Sequence, residues 1–122
     1  MDATELLRTL CTTIDEHRWE DLPALLAQDF TVHFVHTGET FGRDEWVRLN
    51  ADYPGFERLT IEDLVGAGDR AVARCHVTGR DESGEQRFVV ASFATCAGGL
   101  ITEMTEVWTD VGVTPPEAAR PA

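Results

Sequence analysis

Between Leu59 and Val111 the chain reads as four strand-like runs joined by very short connections, and no other feature restricts its fold as strongly. The runs Leu59 to Val65, Arg70 to Thr78, Arg87 to Thr95 and Leu100 to Val111 are rich in β-branched and apolar residues. They are separated only by Gly66-Ala67-Gly68-Asp69, Asp81-Glu82-Ser83-Gly84-Glu85 and Ala97-Gly98-Gly99. Turns of that length leave no room for a crossover, so the runs pair antiparallel as a meander. Such a sheet must cover at least one face, and the segment before Leu59 supplies the cover.

Leu6, Leu7, Leu10, Cys11 and Ile14 recur at helical spacing behind Asp2 and Thr4 as candidate caps, which predicts a helix over 3–18. Trp19, Leu22, Leu25, Leu26 and Phe30 continue the pattern. Pro23 is tolerated only in a first turn, so a second short helix is expected after a kink near Trp19. Phe30 to His36 is β-branched and aromatic and ends at Thr37-Gly38, as a strand would. Asp44 to Tyr53, with Trp46, Val47 and Leu49, predicts another short helix closed by Pro54-Gly55. Helices first and a curved antiparallel sheet afterwards is an α+β arrangement. At 122 residues the chain suits one domain, expected over 1–112, followed by a loose Pro-rich tail over 113–122.

With 43% hydrophobic and 26% charged residues the composition is that of an ordinary globular protein. The formal charge of -12 repels a phosphate backbone, and the ten basic residues are scattered, so nucleic acid is not an expected partner. No apolar run approaches a membrane span, and the first residues lack a basic stretch followed by an apolar one, so no membrane partner and a cytoplasmic location are expected. Cys11, Cys75 and Cys96 lie far apart among apolar neighbours, which suits small buried side chains better than bridges or metal ligands.

The last run carries the candidate chemistry. Strand alternation puts Thr102, Met104, Glu106, Trp108 and Asp110 on one face, and Ile101, Glu103, Thr105, Val107 and Thr109 on the other. If the even face looks inward, Glu106 sits between Met104 and Trp108, where desolvation raises a carboxyl's pKa and poises it as a general acid or base. In the opposite phase the acids solubilise an outer surface. In the second run Ala71, Ala73, Cys75 and Val77 form an apolar side, leaving Arg70, Arg74, His76 and Thr78 on a polar side. That stripe faces a pocket, solvent or a subunit seam. His33 and His36 lie on opposite faces of their strand and cannot share a metal, so no metal is expected. His36, sharing a face with Phe34, is either a pocket group or a surface histidine. Trp19, Trp46 and Tyr53 read as core aromatics, with Tyr53 able to offer its hydroxyl to a ligand. No Gly-rich phosphate loop, serine elbow or Cys-His constellation is present.

Trp19-Glu20-Asp21-Leu22, the strand Phe30 to His36, Phe41-Gly42-Arg43-Asp44-Glu45-Trp46, Gly68-Asp69-Arg70-Ala71-Val72-Ala73-Arg74 and Gly99-Leu100-Ile101 together resemble the nuclear transport factor 2-like superfamily. Within it they are similar to SnoaL-like polyketide cyclases and ketosteroid isomerase-like proteins, over about residues 3 to 111. The resemblance implies a cone: a mixed, mainly antiparallel sheet bent around the N-terminal helices, enclosing an apolar cavity for a small apolar metabolite. It also implies a homodimer through the outer sheet face. The run Arg87 to Thr95, apolar on both sides, fits that, with Val89, Ala91 and Phe93 on one side and Phe88, Val90 and Ala94 on the other.

Limonene epoxide hydrolases carry a catalytic aspartate on a similar last strand, and Glu106 falls on that position. Their Arg-x-Asp pair falls on Arg74 and His76, a departure that puts epoxide opening in doubt. The Gly-Thr-His frequent in SnoaL-like cyclases reads Gly79-Arg80-Asp81 here, so that histidine has no counterpart. The expectation is then an enzyme without metal or organic cofactor. Glu106 would be its general acid or base, His76 its proton partner and Arg74 an electrostatic anchor. Phe34, His36, Tyr53, Met104 and Trp108 would bind the ligand. The rival expectation is a noncatalytic binding or dimerisation module of the same shape.

Overall fold

The computed structural model describes residues 1–121. Helix α1, Ala3–Asp15, starts where the Asp2 side chain accepts the Glu5 amide hydrogen at 2.9 Å, and it buries Leu6, Leu7, Leu10, Cys11 and Ile14 along one stripe. It stops at His17, whose φ of 58° lies in the left-handed region that continues no helix. The Asp15 carboxylate then ties this end to the sheet. It accepts from Arg58 Nε and Nη2 at 2.8 and 3.0 Å and from the Leu59 amide at 2.9 Å. The Arg58 hydrogen bond is also what holds the Asp15 pKa below the usual carboxylate value.

The expected second helix is absent. Two single 3-10 turns, Trp19–Asp21 and Pro23–Leu25, lead directly into strand β1, Leu26–Phe34. The helix-like spacing is ambiguous, because residues four apart share a face in a strand as well as in a helix, and the pairing of β1 with β6 slips between Leu26 and Thr31. Leu26 and Phe30, four apart, share the inner face by ordinary strand alternation, with Val32 and Phe34. Strand β2, Thr40–Gly42, is too short to have announced itself, and helix α2, Arg43–Ala51, follows at once. The four remaining runs are the expected strands, three of them longer than expected and the last one residue shorter: β3, Phe56–Ala67; β4, Arg70–Asp81; β5, Gly84–Ala97; and β6, Leu100–Asp110.

The sheet order is β2-β1-β6-β5-β4-β3, with β1 and β6 parallel and every other pair antiparallel. This is the open, curved, mixed sheet with N-terminal helices that the α+β reading expects. Helix α1 lies across β3 and β4 and reaches β5 and β6, while α2 packs on β1. Small inward residues Ala71, Ala73, Cys75 and Ala94 let α1 settle close to the sheet. The Cys11 and Cys75 sulfurs meet there at 3.9 Å, both buried, and the hydrogen bond with burial pushes the Cys11 thiol up. Residues 111–121 are exposed apart from any core, and Ala122, the end of the expected tail, lies outside the described residues. No helix among the described residues is long and apolar enough to cross a membrane.

Gly55 closes the loop between α2 and β3. Its φ is 76°, its carbonyl accepts from the Arg80 amide at 2.9 Å, and a Cβ there would collide with the Arg80 carbonyl oxygen. Gly55→Ala is expected to cost about 1–3 kcal/mol of stability, read by denaturant titration. A wild-type midpoint in that variant would show that the loop is free to move away.

Candidate functional site

The register of β6 decides what its acids do. Its pairing with β5 slips between Thr95 and Cys96, so Ile101 and Met104 both point inward although they are three apart. The simple alternation that grouped Ile101 with Glu103 therefore fails at the start of the strand and holds from Met104 onward. Glu103 is exposed, and Glu106 faces the interior with 5% of its surface accessible.

Glu106 lies directly opposite Ser92 of β5. The Ser92 hydroxyl donates to Oε2 at 2.6 Å, and the Trp108 indole nitrogen donates to Oε1 at 3.3 Å. Burial is the largest influence and raises the Glu106 pKa, while the donors Ser92, Trp108 and Trp46 pull it part of the way back. A carboxyl held this way exchanges a proton closer to neutrality than a surface glutamate does.

Around it opens a cavity of about 540 Å³. Its buried end is Glu106 with Phe34, Trp46, Leu59 and Val77. Phe56, Phe88 and Trp108 continue the wall, half-buried. Tyr53, His36, Arg80, Asp81 and Asp110 line the exposed end. The Phe34 and His36 rings stack at 5.4 Å, which carries the aromatic wall out to the opening. Several elements contribute: β1 ends at Phe34, α2 presents Trp46 and Asn50, the start of β3 adds Phe56 and Leu59, and one end each of β4, β5 and β6 supplies Val77 to Asp81, Gln86 with Phe88, and Glu106 with Trp108 to Asp110.

Several expected site residues are thus brought together: Glu106, Phe34, His36, Tyr53 and Trp108 all line this cavity. His36 does so from the turn after β1 rather than from the strand itself. Met104 does not line it; at 1% accessible it belongs to the core beneath. Arg74 and His76 are not brought to Glu106 either. In β4 the inward positions are Ala71, Ala73, Cys75 and Val77, so alternation turns Arg74 and His76 to the outer face. There Arg74 pairs with Glu62 at 3.0 Å, and His76 stands in register with Val89. The sheet separates both from Glu106.

Ser92 and the wall residue Phe88 were not foreseen as site residues, and Trp46, read as a core aromatic, is buried in the core and also forms cavity wall. Ser92 had one signal, the single hydroxyl in the apolar stretch from Phe88 to Ala94, but its meaning needs the β5–β6 register. Among the described residues no three His, Cys, Asp or Glu side chains cluster as metal ligands would.

Compared with known proteins, residues 7–104 match the family model described as a SnoaL-like domain. No functionally curated protein gives a significant match. Among solved structures, a protein from Kribbella flavida provisionally named a ketosteroid isomerase is 29% identical. It superposes with a TM-score of 0.82, over 98% of this chain and 88% of its own. IdmH from Streptomyces antibioticus, provisionally named a polyketide cyclase, is 18% identical with a TM-score of 0.77, over 88% of this chain and 92% of its own. A Catenulispora acidiphila protein with a ketosteroid isomerase-like fold, solved in complex with trimethylamine, is 21% identical with a TM-score of 0.71. That match covers 84% of this chain and 83% of the other. The last two likenesses concern the fold alone.

Proposed function

The chain belongs to the SnoaL-like domain family, and on that premise we propose that it is an acid–base enzyme of the isomerase or cyclase type acting on a small, mainly apolar metabolite. The observation that carries this reading is the single carboxyl at the buried end of the cavity, raised in pKa by burial and oriented by Ser92 and Trp108. Glu106 takes a proton from a carbon beside a carbonyl and returns it elsewhere on the substrate. Isomerisation and ring closure share that first step. Ser92 fixes the carboxyl's rotamer from the neighbouring strand, so the oxygen beside Trp108 is the one presented to substrate. Aromatic walls exclude water, and Tyr53 and Arg80 meet the substrate's polar end. This chemistry asks for neither a metal nor an organic cofactor. Three buried thiols, two of them 3.9 Å apart and unbridged, support a reducing, cytoplasmic setting.

The reading is tested by following deuterium incorporation beside the carbonyl of a small cyclic enone. Exchange should rise with pH as Glu106 ionises, with a midpoint above that of an ordinary glutamate. Exchange no faster than in buffer across a panel of ketones would favour a noncatalytic binding module.

The outer face supports a homodimer. Val65, Val72, Phe93 and Thr105 are in register across β3 to β6, beside Ala91 and Val107. Phe93 and Val107 remain 38% and 41% accessible on the isolated chain, and Val65 is exposed too. A twofold partner would cover this ridge and bury Arg74 and His76 at its margin. Solution mass should be twice the 13.5 kDa of the chain, and Phe93→Glu should return it to the monomer value. A monomeric wild type at micromolar concentration would end this assignment.

A further inference from the structure

We propose that the cavity accepts a ligand bearing a protonated or quaternary amine on an apolar body, with the positive charge held against Glu106 between the aromatic walls. This rests on the acid–base reading of the same site and adds to it the charge of what the site selects.

Three observations lead there. First, the donors that face Glu106, Ser92, Trp108 and Trp46, are all neutral, and among the described residues no arginine or histidine forms an ion pair with it. The chain contains no lysine at all. Arg80, the arginine that lines the cavity, sits at its exposed end and lies 4.0 Å from Glu57. A buried carboxyl is neutralised either by a proton or by a cation, and this protein provides no cation of its own at that point.

Second, the walls beside the carboxyl are aromatic. Phe34, Trp46, Phe56, Phe88 and Trp108 all line the cavity with it. Ring faces attract a desolvated cation, whereas an uncharged apolar ligand would be served equally well by aliphatic walls. Third, the entrance favours the same sign. Asp81 and Asp110 line it against Arg80 alone, and the formal charge of the whole chain is -12. An ammonium is drawn in, while a carboxylate or phosphate meets repulsion outside and Glu106 within.

The two ways of neutralising Glu106 compete. With burial raising its pKa, the empty site holds the proton more readily than a surface glutamate does, and an arriving cation displaces it. Cation affinity must therefore rise with pH until Glu106 is ionised. The other groups that face the cavity and titrate are His36 and Tyr53, with Arg80, Asp81 and Asp110 at the opening. His36 pushes in the same direction, because its protonated form repels a cation. A His36→Asn variant separates the two.

The test compares choline with its uncharged isostere 3,3-dimethylbutan-1-ol, by titration calorimetry on the intact protein in mildly acidic and mildly alkaline buffer. Choline should bind at least about tenfold more tightly than the alcohol at alkaline pH. It should lose affinity on acidification with uptake of a proton by the site, and His36→Asn should retain most of that dependence. The alcohol should show neither effect. Glu106→Gln should remove most of the preference, and the wild-type pH dependence stands as a second measurement should that variant fail to fold. Equal affinities, no binding of either probe, or a preference surviving in folded Glu106→Gln would overturn the proposal. If the alcohol matches choline while Glu106→Gln still abolishes deuterium exchange, charge selection is wrong and the acid–base reading stands. If choline is preferred while Glu106→Gln leaves exchange intact, charge selection stands and the acid–base reading falls.

Discussion

Replacing Glu106 by glutamine is expected to lower turnover by about 10²–10⁴-fold while leaving the protein folded and more stable in alkaline solution. The amide keeps the shape, since its oxygen can accept from the Trp108 indole while its NH2 donates to the Ser92 hydroxyl oxygen, but it cannot take a proton. The stability gain follows from the direction of the pKa shift. Because burial raises the folded-state pKa above the unfolded value, the folded chain binds more protons between those two values. Wild-type stability is therefore highest on the acid side of that window, falls as pH rises through it, and stays low above it. Glu106→Gln removes this group's contribution, so the difference in melting temperature between variant and wild type should grow with pH, at about 2–8 °C for each kcal/mol. Parallel melting curves at every pH would mean that Glu106 is hydrated in solution. Retained turnover would mean that another residue moves the proton.

Trp46→Ala is expected to have the largest structural effect, about 3–5 kcal/mol, which is of the order of 10 °C or more in melting temperature. Trp46 is only 2% accessible, and its ring packs on Phe30 at 5.5 Å, joining α2 to the core. It also forms the cavity wall beside Glu106 and helps hold that carboxyl in its charged form. Alanine would leave a void continuous with the cavity, and water entering it would return the Glu106 pKa toward the ordinary value. A milder Trp46→Phe change should keep most of the stability and part of the shift. Thermal melting and the pH dependence of deuterium exchange read the two effects separately. A wild-type melting point in Trp46→Ala would show that α2 is not docked on β1.

The meander was legible because short glycine-containing turns punctuate runs of β-branched and apolar residues. The region before it was less so, for a definable reason. Leu26 and Phe30, four apart, share a face in a strand as they would in a helix, so their spacing could not tell the two apart. A register slip in β6 misplaced Ile101, and the phase of Glu106, open in the sequence, is fixed by the pairing with Ser92 of β5. Arg74 and His76 illustrate a different limit. A polar stripe on the outer sheet face and one lining a pocket are written identically, and the choice depends on which side α1 covers. Ser92 marks the third: its partner is fourteen residues away and appears only once the register is known.

The sheet order also fixes a sequence of events during synthesis. β1 has only β2 and β6 as neighbours, and β6 is the last strand to leave the ribosome although it lies between β1 and β5. Until Leu100–Asp110 emerges, the early helix-and-strand segment and the β3–β5 meander have no common ladder to join them. A nascent chain therefore carries two exposed sheet edges, a hazard that a holding chaperone would relieve. Closing the gap requires contacts between residues far apart in sequence, so the final step is slow relative to formation of the meander. Glu106 arrives on that same closing strand, and the proton-moving group comes into being only when the two halves are joined.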